Sequence, residues 1–331
     1  MSKKYNWGII GPGNIAHQFA KGLSVTEKGV LYAVGSRDSG RAGEFAMEYG
    51  ALESYGSYDE LIADEKVDVV YIATPHHRHY ELSKKCLEAG KAVLCEKPIT
   101  INASQFEELI NLARKKNVFY MDALWTRFLP TVLKTMELIE GGKIGEVRAV
   151  KADFGFKTEF HPAGRLYNPE MGGGSILDIG IYPIFLSLLV LGYPTTVKAA
   201  SVIGETGVDE SCSMSFSYKN GAVANLMSTL RVSTDTSAEI SGTKGRIYIN
   251  RLWFKPSTLT VTVEGQKAEE MSFETRMNGY EYEAEEVMKC LDEGKTESDF
   301  LPLDFTLQLM RLLDSVRKEA GVRYKEDDEF Q

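Results

Sequence analysis

Up to about residue 121 the chain alternates two textures. Short runs that are apolar on both faces, Tyr5–Ile10, Val30–Ser36, Val67–Ala73, Ala92–Cys95 and Val118–Met121, have the composition of buried parallel strands. Between them lie segments with apolar residues at helical spacing: Asn14–Leu23, Arg41–Tyr49, Tyr58–Ala63, His79–Ala89 and Ser104–Lys116. This alternation predicts a doubly wound parallel sheet, with right-handed crossovers that put helices on both faces. After Asp122 the pattern changes. One helix is predicted over Thr131–Glu140, stopped by Gly141-Gly142. From Glu146 the strand-like runs Val147–Phe156, Thr196–Ile203, Ser211–Tyr218, Ala222–Leu230, Ala238–Ser241, Arg246–Ile249 and Thr258–Val263 dominate. Asn220-Gly221 marks a hairpin. Strands without helices between them predict a mostly antiparallel sheet. Helices over Tyr280–Asp292 and Asp304–Ala320 close the fold, and the charged tail from Lys325 reads as frayed. The chain thus reads as an α/β protein of two domains, 1–122 and 123–331.

Composition narrows the function classes. Hydrophobic residues at 43% and charged residues at 26% supply real cores and argue against disorder. A net charge of −9 repels phosphate backbones, which argues against nucleic acid as a partner. Cys86, Cys95, Cys212 and Cys290 form no C-x-x-C pair and read as free thiols of a reducing cytoplasm. The opening residues run straight into a strand, unlike a secretory leader. The uncharged stretch Ile179–Leu191 is too short for a bilayer span and reads as a buried helix, so no membrane partner is expected.

Candidate chemistry begins at Gly11-Pro12-Gly13-Asn14-Ile15-Ala16, between the first strand and the first helix. In that context Gly11 permits a tight turn, Gly13 lets backbone approach a pyrophosphate, and Ala16 lets helix pack on strand. The helix N-terminus at Asn14 and Ile15 then offers free N–H groups to the anion. The second strand ends in Ser36-Arg37-Asp38, with Arg41 following. Ser36, Arg37 and Arg41 suit a ribose 2′-phosphate and favour NADP. Asp38, one position late for a ribose 2′-hydroxyl, keeps NAD as the alternative. Lys97 follows the buried strand Ala92–Cys95, where ligands of doubly wound sheets bind; Glu96 is placed to orient its ammonium and Pro98 to end the strand. The cluster His76-His77-Arg78-His79 has no convergent ligand set and an arginine in its middle, so no metal is expected there. His76 and His79 instead read as lining a nicotinamide ribose. His161, Arg127, Arg165 and Tyr167 are candidates for the substrate pocket.

Taken together, Gly11–Ala16, Thr74-Pro75 and Glu96-Lys97-Pro98 resemble the Gfo/Idh/MocA oxidoreductase family. The segments Ala123–Phe128 and Gly172–Tyr182 resemble its branch of dimeric dihydrodiol dehydrogenases and NADP-dependent xylose dehydrogenases. The resemblance implies an N-terminal Rossmann domain and a C-terminal domain with an open, mainly antiparallel sheet through which members form dimers or tetramers. It implies reversible hydride transfer between a nicotinamide and a carbinol carbon of a small sugar, polyol or diol. The family's catalytic positions fall on Lys97, Asp178 and Tyr182, the last a histidine in inositol dehydrogenases. Its coenzyme-contacting positions fall on Thr74, Pro75 and His76, commonly asparagine in the family, with Asn14, Ile15, Glu96 and Trp125 alongside.

These residue types suit the reaction. A carbinol that loses hydride must also lose its hydroxyl proton. A phenol with a pKa near 10 is a poor base at neutral pH. A neighbouring ammonium stabilises the phenolate, so Tyr182 reads as the proton donor and acceptor and Lys97 as its partner, with direct exchange by Lys97 the alternative. Asp178, one helical turn before Tyr182, would orient Lys97 or a substrate hydroxyl, or else cap its helix. Two further readings remain open: an NAD-dependent inositol-type dehydrogenase, and a dinucleotide-binding regulator without turnover.

Overall fold

The structure is a computed structural model that describes residues 3–329. It divides into two compact units. The first joins the residues up to Thr100 with Ser104–Phe128 and Thr275–Leu307; the second takes Ile101–Ala103, Leu129–Glu274 and the residues from Gln308 onward.

Along the first part of the chain run β1 (Tyr5–Ile10), α1 (Asn14–Ser24), β2 (Gly29–Gly35), α2 (Ser39–Tyr49), β3 (Glu53–Tyr55), α3 (Tyr58–Ala63), β4 (Val69–Ile72), α4 (His79–Glu88), β5 (Ala92–Glu96), α5 (Ala103–Lys116) and β6 (Tyr120–Ala123). The six strands form one sheet in the order β3-β2-β1-β4-β5-β6, every pair parallel. The order reverses between β1 and β4, which places the ligand crevice at the carboxyl ends of these strands. The edge strand β3 is three largely exposed residues and carries no apolar run for a pattern search to find. β4 starts two residues later than its apolar run because the Val67 N–H turns back onto the Asp64 carbonyl.

The first unit is not finished at Asp122. Helix α8 (Tyr280–Asp292) returns to it and covers α1. Gly22 of α1 has no side chain because α8 fills the space: a Cβ there would lie 2.7 Å from the Tyr280 Cβ and 2.8 Å from the Glu281 N. Asp292 accepts a hydrogen bond from the Tyr5 hydroxyl at 2.8 Å. A boundary after Asp122 therefore assigns α8 to the wrong neighbours; nothing in its local sequence says which sheet it serves.

The second unit contains α6 (Pro130–Glu140), β7 (Val147–Gly155), α7 (Ile181–Leu191), β8 (Thr196–Ile203), β9 (Asp209–Ser217), β10 (Val223–Thr229), β11 (Ala238–Gly242), β12 (Gly245–Ile249), β13 (Leu259–Val263) and β14 (Glu269–Met271). Its eight strands form a sheet in the order β14-β13-β12-β11-β7-β10-β9-β8. All pairs are antiparallel except β7 with β10, whose long connection runs through α7. Gly221 (φ +79°) makes the β9–β10 hairpin expected from Asn220-Gly221. One face, with Phe154, Met214, Phe216, Leu226 and Ile240, is buried. α7 is apolar all round and lies in this core; the segment Pro169–Leu191, apolar enough by length and composition to cross a membrane, is mostly buried inside the protein. The chain end differs from the frayed tail expected: after α9 (Leu303–Ala320), α10 (Glu326–Glu329) is a short helix, held because Arg317 donates to Asp327 and Asn102 to the Glu326 carbonyl. Phe330 and Gln331 lie outside the described residues.

Candidate active site

In the first unit the glycine loop forms as its sequence requires. Gly11 has φ +87°, and a Cβ there would lie 2.9 Å from Thr74 Cγ2 and 3.1 Å from the Ala73 carbonyl oxygen. The residue is glycine both for its backbone and because the turn after β4 presses on it. Nothing stands within 4 Å of a Cβ on Gly13. Helix α1 has no side-chain cap and no acid in its first turn, so Asn14 and Ile15 open a helix end free to meet an anion. The buried Thr74 hydroxyl has no hydrogen-bond partner and adds an orphan donor to the same turn. An open glycine, an uncapped helix and an orphan hydroxyl together fit a bound dinucleotide.

At the end of β2, Ser36 is buried and its Oγ accepts the Asp38 N–H at 3.2 Å. Asp38 caps α2, accepting the Arg41 N–H at 3.2 Å, and the Arg41 guanidinium donates to the Pro12 carbonyl at 3.1 Å. Arg37 is exposed. The Asp38 carboxylate is therefore engaged on its own helix, and the edge where the adenine ribose would lie is basic.

Beyond β4, Pro75 leads into a 3₁₀ turn over His76–Arg78. His76 is buried, with its ring 5.8 Å from that of His79. His79 does not line a ribose as expected. It is wholly buried, and its Nδ1 and Nε2 lie 2.8 Å from the Pro98 and Thr74 carbonyl oxygens. It sits between the turn after β4 and the turn after β5, and as a neutral ring it donates its one N–H to one of the two carbonyls. Burial lowers its pKa to about 4. The signal was present in the sequence: His79, Leu82, Ser83 and Cys86 share one helical face, and that face is buried.

Lys97 follows β5 and joins Pro98 through a cis peptide bond. Glu96 is buried and accepts the Tyr71 hydroxyl and, at 3.3 Å, the Lys97 backbone N–H. Two more buried carboxyl groups that the sequence reading missed, Asp122 on β6 and Glu283 on α8, have no hydrogen-bond partner. Burial first, and then the charge of Glu96, pushes both well above the ordinary carboxylate range, while Lys97 pulls Asp122 the other way. Trp125 stacks on Tyr280 at 4.3 Å. The Arg127 Nε donates to the Phe300 carbonyl at 2.9 Å, which ties this substrate candidate to the first unit.

In the second unit Gly172-Gly173-Gly174-Ser175 leads into a π-helical turn, Ile176–Gly180, continued by α7. The wide turn stands where the Pro183 ring would crowd the Ile179 carbonyl four residues back. Asp178 on the turn is 4% exposed and ion-paired with Arg165 at 2.7 Å. It does not cap the helix; Asp209 of β9 does, accepting the Ile176 N–H at 2.7 Å. Tyr182 is buried against Phe154 and Phe254, with ring centroids at 5.4 and 5.3 Å. Tyr167 is buried against Phe160, whereas His161 is exposed beside Glu159. Lys97 thus belongs to the first unit, and Asp178 and Tyr182 to the second.

The 3-2-1-4-5-6 parallel sheet with an uncapped, glycine-led helix at its switch point defines a Rossmann dinucleotide-binding protein. Residues 5–123 match the model of the oxidoreductase family with an NAD-binding Rossmann fold, and residues 132–248 match the GFO/IDH/MocA C-terminal domain. The chain belongs to the Gfo/Idh/MocA family and is a dinucleotide-dependent oxidoreductase. It is 37% identical to mouse trans-1,2-dihydrobenzene-1,2-diol dehydrogenase over 97% of this chain and 98% of the relative. Identity to the human protein of that name is 35%, with the same coverage. Among solved structures it is similar to KijD10, a 3-ketoreductase from Actinomadura kijaniata in complex with NADP and TDP-benzene, at 26% identity with a TM-score of 0.88 over 97% of this chain and 99% of the other. A levoglucosan dehydrogenase in complex with NADH and levoglucosan shares the fold, with a TM-score of 0.87 at 22% identity over 96% and 98% of the two chains.

Proposed function

We propose that the protein interconverts a secondary hydroxyl and a carbonyl on a small diol, sugar or polyol with NADP(H) as coenzyme. Near full-length similarity to diol dehydrogenases is the observation that carries the substrate class. The exposed Arg37, set against an Asp38 engaged in capping its helix, supports NADP over NAD. The glycine loop, Thr74 and the basic edge would hold the coenzyme, which supplies the hydride acceptor or donor. The chain's own residues handle the proton. In reduction the Tyr182 hydroxyl gives its proton to the developing alkoxide; in oxidation the phenolate takes it from the carbinol. The Lys97 ammonium stabilises that phenolate, and Asp178, aligned by Arg165, orients a substrate hydroxyl.

A homodimer or homotetramer through the open face of the second sheet belongs to the same proposal. The exposed Met227 among Ser213, Ser215, Asn225 and Tyr248 on that face supports it. A cytoplasmic location does too, supported by four unbonded cysteines.

The test is a panel of vicinal diols, aldoses and inositols with each oxidised coenzyme, followed by absorbance of the reduced nicotinamide. Turnover of a diol or aldose with NADP is expected. Lys97→Met and Tyr182→Phe should keep NADPH binding and lose roughly a hundred- to ten-thousandfold in kcat. Arg37→Ala should weaken NADP on the order of ten- to a hundredfold more than NAD. Full turnover by Tyr182→Phe, or equal losses of both coenzymes by Arg37→Ala, would contradict the corresponding assignment.

A further inference from the structure

The glycine run before the π-helical turn is shaped by what presses on it. Gly174 has φ +115°, and a Cβ there would lie 2.3 Å from Asp209 Oδ1 and 3.0 Å from the Tyr324 hydroxyl oxygen. A Cβ on Gly173 would lie 2.8 to 2.9 Å from the carbonyl oxygens of Leu166, Arg165 and Asn168. The run is thus held between Asp209 and the loop that carries Arg165.

Asp209 is wholly buried. Its Oδ2 accepts the Ser175 hydroxyl and the Ile176 N–H, each at 2.7 Å, and Ser175 Oγ is 2.9 Å from Ser228 Oγ on β10. Its Oδ1 has no hydrogen-bond partner. The titratable groups facing it are Cys212 on its own strand and Tyr324 from the chain's end, with Arg317, Asp327 and Glu326 behind Tyr324. Ile176 opens the turn that carries Asp178, and Tyr182 follows.

We propose that Asp209 is a positioning residue for the reaction: as a carboxylate it fixes the first turn of the helical segment and thereby the directions of Asp178 and Tyr182. The inference rests on the roles proposed above for those two residues. A carboxylate holds donors more strongly than a neutral acid, and an anion suits a helix N-terminus. Burial pushes Asp209 up to about 6, against the pull of its bonds from Ser175 and Ile176. The first turn therefore loosens as pH falls through about 6, and activity falls with it. Stability runs the other way. The folded value lies above the unfolded value of 3.8, so the contribution from the protonated form is present at low pH and is lost as pH rises through about 6.

Asp209→Asn keeps an acceptor without the charge. The expected result is unchanged NADPH binding by fluorescence, kcat lower by roughly tenfold or more, and loss of the acid limb near pH 6 from the kcat profile. Ser175→Ala removes a bond that favours the carboxylate, so the limb should move to higher pH. A limb that stays put in both variants overturns the proposal, as does a kcat loss matched by lost NADPH affinity. If Asp209→Asn does not fold, the direction of the Ser175→Ala shift decides. Tyr182→Phe separates the two readings. Undiminished turnover in it sinks the catalytic assignment; a dead Tyr182→Phe beside an unmoved limb sinks only the role of Asp209.

Discussion

Glu96, Asp122 and Glu283 bring three carboxyl groups into the interior of the first unit, and burial raises the last two well above their ordinary values. Acids with raised folded values bind protons that the unfolded chain gives up. Their contribution to stability is therefore full below about pH 4 and is lost as pH rises toward the folded values. Asp122→Asn with Glu283→Gln keeps the shapes and removes the ionisable protons. The stability of this double variant relative to the wild type should increase as pH rises above about 4 in urea unfolding. A difference that stays flat with pH contradicts the assignment. Residues whose placement is set locally were legible in the sequence. Gly11, Gly13 and Lys97 follow from one strand–turn–helix pattern and one strand end. Asp122, Asp209 and Glu283 were not legible, since each is an ordinary acid until distant strands and helices strip it of water. Asp38 falls between: an aspartate just before a helix is a cap signal, and the cap is what forms.

Elements were read well where an apolar run was long. Strands β1 and β8 and helices α3 and α8 were located to the residue. The short edge strands β3 and β14 escaped because three mostly exposed residues need no apolar pattern. What elements pack against was less legible than where they lie. Gly22 reads as a weak point in α1, yet it is where α8 docks. Gly22→Val should therefore cost about 1–3 kcal/mol or more in urea unfolding. Gly43 in α2 has nothing within 4 Å of a Cβ, and Gly43→Ala should instead stabilise by roughly 0.5–1 kcal/mol. Equal responses at the two positions would contradict the docking account.

For the whole molecule, the α/β class and the two kinds of sheet were legible because helices separate the strands in one half and not in the other. The boundary was not, since residues 275–307 rejoin a sheet that ends near residue 123. The proposed assembly through the open face of the second sheet belongs to this scale. Met227→Arg with Ser215→Arg should convert an oligomer to a monomer in sedimentation velocity while each chain keeps its thermal transition. A wild-type chain that sediments as a monomer removes the proposal.

The late return of α8 also bears on how the protein is made. A ribosome delivers the end of β6, at Ala123, 157 residues before Tyr280 opens the helix that covers α1. At ordinary synthesis rates this interval is roughly 8–30 seconds. Throughout it the Gly22 groove stands uncovered, so the coenzyme-binding half, first to leave the exit tunnel, is among the last parts to reach its final form.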